Sequence, residues 1–151
     1  MKKPMKPIPY FGSYSLFTIH YHLRRQGSKT ETRKPMTESS IFTKSKAFAL
    51  RVVRLYKYLR DRKESVIPKQ MLRAGTSIGA NIAESRYAQS KSDFVSKLQV
   101  ALKEAAETQY WLELLRDAEL VKSDKAFNSL CDDCIELIKL LTSSVKTAKA
   151  K

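Results

Sequence analysis

Beyond residue 35 the sequence contains no histidine, a single proline and only two glycines. The missing histidines exclude most: without imidazoles, the later chain cannot furnish the Glu-x-x-His pairs of di-metal carboxylate bundles or a Ser/His/Asp or Cys/His relay. The carboxylates that stand out are Glu104 and Glu107, which flank Val100 and Trp111 at helical spacing. A general acid or base there lacks a partner, and salt-bridged or interface-edge acids are the simpler reading. We therefore expect no enzyme, no catalytic residue, no metal and no cofactor. The scarcity of proline leaves long segments free to be helical. No apolar run approaches the roughly 20 residues of a membrane-spanning helix, and the interrupted N-terminal stretch YFGSYSLFTIHYHLRR is too polar for a signal-peptide core. The expectation is no membrane and a cytoplasmic location.

Cysteine is equally scarce. Cys131 and Cys134 form a CDDC, but a redox pair needs a low-pKa thiol at a helix N-terminus after a strand, and a zinc site needs two further ligands. Neither context exists in this sequence, and both cysteines fall on an apolar helical stripe. They read as core thiols.

The two later glycines lie in RAGTSIGANIAES, Arg73 to Ser85. A phosphate-cradling loop requires either a dinucleotide fingerprint or GxxxxGK[ST] opening a helix after a strand, and neither spacing is present. At 100° per residue Ile67, Met71, Ala74, Ile78 and Ile82 make one stripe, with Gly75, Gly79 and Ala83 as a side-chain-poor stripe beside it. A glycine inside a helix costs roughly 1 kcal/mol against alanine. Two of them one turn apart imply close packing of another helix on Gly75, Gly79 and Ala83.

Acidic residues are the last shortage: 15 Asp and Glu face 29 Lys and Arg, giving a formal net charge of +14. Such a balance favours a polyanionic partner, although a basic soluble surface without a dedicated ligand has the same composition. The excess is uneven. Residues 1–46 carry +8, and the first 35 residues hold four of five prolines and both histidines, without sustained periodicity. We read 1–39 as an irregular or disordered arm. An alternative is that Met36 is the true start, which leaves residues 36–151 with twenty-one basic and fourteen acidic residues, net +7.

From Ser40 the chain predicts an all-α, antiparallel up-down four-helix bundle over residues 40–147, followed by a basic tail at 148–151. The first helix, about Thr43 to Arg62, presents Phe48, Val52, Leu55, Tyr56 and Leu59. The second starts near Pro68 and reaches about Tyr87. In the third, Ser90 caps with Asp93 at the third helical position, and Phe94, Leu98, Ala101, Ala105, Thr108, Leu112 and Leu115 follow a 4,3 spacing. The fourth is expected to be capped by Ser123 and to bury Phe127, Cys131, Cys134, Ile138, Leu141 and Val145. Short connections make neighbours antiparallel.

Two surface patterns bear on function. The third helix also carries Val100, Tyr110, Trp111 and Leu114 away from its core stripe, and the first carries Leu50 and Val53 outward. These six residues predict a subunit interface and a homo-oligomer. Lys46, Arg54 and Lys57 of the first helix and Lys69 and Arg73 of the second are the candidate phosphate contacts for RNA or DNA. A solvated helical face would look the same.

RAGTSIGANIAES followed by SKSDFVSKLQVALKEAAETQYWLELL resembles the four-helix-bundle proteins encoded in intervening sequences of bacterial 23S ribosomal RNA genes, the S23-type family. The resemblance covers about residues 40 to 145, and the same superfamily is similar to the accessory variability protein of diversity-generating retroelements. It implies a left-twisted bundle assembling as a ring-like homopentamer, with a basic surface that in the retroelement relatives contacts nucleic acid and reverse transcriptase. It implies no catalytic residues, and the 1–35 arm has no counterpart in the family. Two expectations for function follow: an oligomeric RNA- or DNA-binding accessory protein, or a protein–protein scaffold for another product of the same locus.

Overall fold

A computed structural model of the chain describes residues 38–64 and 66–150. These form four helices: α1 Glu38–Asp61, α2 Val66–Ser85, α3 Lys91–Asp117 and α4 Lys125–Ala150. The expectations for an irregular arm and for Met36 as the start lie outside the described residues. At positions 38 and 39, assigned from sequence to that arm, the chain is already helical.

Each helix has its backbone close to two neighbours, in the cyclic order α1–α2–α3–α4 and back to α1. Side-chain pairs fix the directions. Gly75 faces Val52 and Gly79 faces Ser45, so α2 descends as α1 ascends. Arg73 reaches Glu107 and Glu84 meets Lys97, which makes α3 antiparallel to α2. Lys44 pairs with Glu136 and Arg51 with Asp133, which makes α4 antiparallel to α1. The result is the up-down bundle that short connections enforce.

The core is one cluster. Phe48, Val52 and Leu59 of α1 meet Met71, Ile78 and Ile82 of α2, Leu98, Ala101, Ala105, Leu112 and Leu115 of α3, and Phe127, Leu130, Cys134, Leu137, Leu141 and Val145 of α4. Several residues expected at full burial, Leu55, Tyr56, Ile67, Phe94, Cys131 and Ile138, are half-buried and pack against its edge. They sit at the margins of their stripes, where a second helix covers one side only. Ser45, Ser85 and Thr108 are buried because each hydroxyl donates back to a carbonyl of its own helix, those of Phe42, Ile82 and Glu104, which satisfies a group otherwise costly to desolvate.

Helix ends follow from local chemistry. Ser90 Oγ accepts from Asp93 N at 3.1 Å while Asp93 Oδ2 accepts from Gln89 N at 3.0 Å, a reciprocal cap for α3. For α4 the cap is Asp124 rather than Ser123: the Asp124 carboxylate accepts from Phe127 N at 2.9 Å, and Ser123 donates instead to Asn128. A carboxylate beside the positive end of a helix dipole is the stronger acceptor. α1 begins five residues before Thr43, because Ile41 and Phe42 add a turn that packs on the core. α4 continues through Ala150, so residues 148–150 are helical and not a tail; Lys149 in the last turn complements the dipole.

Candidate nucleic-acid and partner interface

Lys46, Leu50, Val53, Arg54 and Lys57 all lie within an arc of about 100° on α1, opposite its buried stripe. The sequence divided this face between two roles, with lysines and arginine for phosphate and Leu50 and Val53 for a subunit contact. The fold places them on one surface. Leu50, 52% exposed, is surrounded by the three cations.

Lys46, Arg54, Lys57 and Lys69 are exposed and have no ion-pair partner among the described residues. Arg73 differs. Its guanidinium donates to Glu107 Oε1 at 2.6 Å and to Gln70 Oε1 at 3.4 Å, so it is occupied in joining α2 to α3. Glu107 Oε1 also accepts from Trp111 Nε1 at 3.1 Å. Lys57 and Lys69 each lie about one turn from the 62–65 connection, which brings them to the same end of the α1–α2 hairpin.

The residues of the second predicted surface differ in exposure. Val100 and Tyr110 are exposed, at 38% and 56%, but Val53, Trp111 and Leu114 are half-buried within the single chain. Trp111 packs against the core, edge-on to Tyr110 with ring centroids 5.0 Å apart, and is tied to Glu107. The flank of α3 that carries it turns toward α2, so intrachain packing accounts for much of the apolar surround of that helix. α1 and α3 stand diagonally across the bundle, so Leu50 and Val53 belong to one surface and Val100 and Tyr110 to another.

Of the two carboxylates singled out in the sequence, Glu107 is salt-bridged to Arg73, whereas Glu104 has no ion pair among the described residues. Its Oε2 is shut off from solvent and meets no hydrogen-bond donor, on the side of α3 that carries Val100 and Trp111. A buried acceptor without a partner is uncommon. Nothing in the one-dimensional pattern marks it, because its isolation depends on what α2 presents opposite.

The thiols are part of the packing. Cys134 is buried, its Sγ donating to Ala105 O at 3.4 Å, and burial pushes its pKa up to about 12. Cys131 is also shifted up by burial, and the two are not joined in a disulfide. A thiol held protonated is a poor nucleophile and metal ligand. Gly75 is buried and a Cβ placed on it would meet Val52 Cγ1 at 2.9 Å, whereas at Gly79 the nearest atom, Ser45 O, is 3.7 Å away; Ala83, the third member of the stripe, is half-buried. No group of acids, cysteines or histidines among the described residues is arranged to hold a metal ion. No helix among them is long and apolar enough to cross a membrane.

What fold and surface together define is an all-α, four-helix-bundle protein with exposed, unpaired cations on its outer faces, among them Lys46, Arg54, Lys57 and Lys69 on α1 and α2. Comparison with known families is more particular. The model of the 23S rRNA-intervening sequence proteins matches residues 37–143, and the chain belongs to that family. Among solved structures, a protein of unknown function from the S23 ribosomal protein family of Bacteroides thetaiotaomicron is 51% identical, covers 70% of this chain and 98% of its own, and superposes with a TM-score of 0.67. No curated protein matches the chain.

Proposed function

We propose that the chain is a non-enzymatic, homo-oligomeric bundle protein that binds RNA or DNA electrostatically through the outer face of α1 and the start of α2. The observation that carries this reading is the set of exposed cations without ion-pair partners, Lys46, Arg54, Lys57 and Lys69, on two adjacent helices. Phosphate contacts need no base-specific geometry, and a regular helical face supplies cations at suitable intervals. The family's connection with a ribosomal RNA gene is consistent with it. Assembly would repeat a modest patch, raising avidity without new contacts. Support for assembly comes from Val100 and Tyr110, apolar side chains left exposed on α3. A pentamer is the state the family resemblance implies.

The test is a salt titration. Log affinity for duplex falls against log salt with a slope of about 0.9 per phosphate contacted, and Arg54→Glu with Lys57→Glu lowers that slope. Affinity that is absent, or indifferent to salt, overturns the reading. Leu50, apolar and exposed among those cations, favours a second one in which the same face docks a protein of the same locus, such as a reverse transcriptase. Leu50→Ser separates the two: it weakens a protein contact and leaves the salt slope unchanged. Light scattering on Tyr110→Glu checks assembly, and an unchanged mass removes this face from the interface.

A further inference from the structure

The end of α1 carries an aromatic side chain that the fold does not use. Tyr56 packs against the core, but Tyr58, two residues on, takes no part in it and is 45% exposed. The guanidinium of Arg62 lies over the Tyr58 ring, 4.3 Å from its centroid. Arg54, Tyr58 and Arg62 are spaced four apart and therefore form one stripe, with about 6 Å of helix rise between successive members. Lys57 lies next to this stripe, and Lys63 follows immediately past the helix end. The nearby anion Asp61 is paired with Arg60, while Arg54, Lys57, Arg62 and Lys63 have no ion-pair partner among the described residues.

This combination is specific in its chemistry. A phosphate backbone alone is served by lysine or arginine anywhere on a surface. A guanidinium seated over an aromatic ring does more: the ring restrains it on one side, and its outer side is left as a planar, cationic platform. Planar platforms of this kind stack on nucleobases, and the π-face of a base is accessible only when the base is unpaired. Uncompensated cations spaced along the same stripe match the adjoining phosphates.

Building on the nucleic-acid reading above, we propose that Tyr58 and Arg62 form a stacking site for an unpaired base flanked by phosphate contacts from Arg54, Lys57 and Lys63, so that the partner is a single-stranded segment or loop. Tyr58 holds Arg62 in position, and Arg62 meets the base. RNA and DNA share this chemistry, and an arm with each identifies the source.

The experiment measures binding of the full chain to a fluorescein-labelled uridylate strand of about 12 nucleotides, its deoxy counterpart, the same strand with abasic sites, and a duplex, all at one salt concentration. Tyr58→Ala weakens single-strand binding by roughly 5- to 150-fold, the loss of one stacked base. It leaves duplex binding within about twofold of wild type. Arg62→Lys, which keeps the charge and loses the plane, reproduces the single-strand loss. Tyr58→Phe keeps the ring and restores wild-type binding, which also separates stacking from any misfolding of the alanine variant. Equal effects of Tyr58→Ala on strand and duplex, or abasic binding as tight as base-bearing binding, overturn the stacking site while leaving the electrostatic reading in place. Absence of binding to every probe overturns both.

Discussion

Gly75 lies against Val52 so closely that a methyl at position 75 would approach Val52 Cγ1 to 2.9 Å and Cγ2 to 3.0 Å. Val52 is fully buried and β-branched, so it has one strongly preferred rotamer in a helix and nowhere to turn. Overpacking by Gly75→Ala costs about 1–3 kcal/mol against a gain of roughly 1 kcal/mol in helix propensity, so the variant is less stable by up to about 2 kcal/mol. Gly79→Ala, whose methyl meets Ser45 O at 3.7 Å, is neutral to stabilising by up to about 1 kcal/mol. Urea unfolding of the two variants checks the contrast, and Gly75→Ala as stable as wild type would refute it. Val52→Ala combined with Gly75→Ala recovers part of the loss.

Two helices end on a non-glycine residue in the left-handed region, Lys63 at φ 68° and Glu119 at φ 55°. Both ends are Schellman motifs. Glu64 N donates to Leu59 O at 3.1 Å and Lys63 N to Arg60 O at 2.9 Å; Leu120 N donates to Leu115 O at 3.0 Å and Glu119 N to Arg116 O at 2.9 Å. Removing the Cβ relieves a cost of roughly 1–2 kcal/mol, part of which returns as chain entropy. Lys63→Gly and Glu119→Gly each raise stability by about 0.5–1 kcal/mol in denaturant titrations.

Cys134 provides a pH dependence with a defined sign. Burial raises its pKa from 9.0 to about 12 in the folded chain, so above pH 9 the unfolded chain holds fewer protons than the folded one. Stability is fully present below pH 9 and falls as pH rises toward 12, by at most about 1.4 kcal/mol per unit from this group. Cys134→Ala, measured beside wild type, loses that component of the alkaline slope although it is less stable at neutral pH. Parallel pH profiles for the two proteins would contradict the assignment. Iodoacetamide leaves Cys134 unlabelled until the bundle unfolds.

Arg51 closes the α1–α4 seam. Its guanidinium holds Asp133 and donates to Ala126 O at 2.8 Å and to Ser129 O at 3.2 Å. The group is partly exposed, so solvent weakens these contacts. Arg51→Ala costs about 1–2 kcal/mol by thermal or chemical unfolding, and Arg51→Lys recovers only part because an ammonium cannot span the same fork of acceptors. Full recovery by lysine would show that charge alone matters at this seam.

Much of the fold was legible in the residues themselves. The 4,3 spacing from Leu98 to Leu115 and the run Met71, Ala74, Ile78, Ile82 are local periodicities, and a helix places such residues on one side whatever surrounds it. The Ser90 cap was equally readable, since donor and acceptor are three residues apart. Asp124 displaced Ser123 as the α4 cap because two adjacent residues offered suitable oxygens, and geometry chose the charged one.

The surface was less legible, and for one reason. Whether a residue at the edge of an apolar stripe is covered depends on how far a neighbouring helix reaches around it, which no spacing encodes. That reach half-buries Trp111 while leaving Tyr110 exposed, ties Arg73 to Glu107 across α2 and α3, and isolates Glu104 Oε2. The sequence by itself determined four amphipathic helices, their order and the cationic excess, because these follow from periodicity and composition. Tertiary structure decided which cations remain unpaired, and that Lys46, Leu50, Val53, Arg54 and Lys57 share one face, because ion pairs and surfaces form between residues that only helix packing brings together.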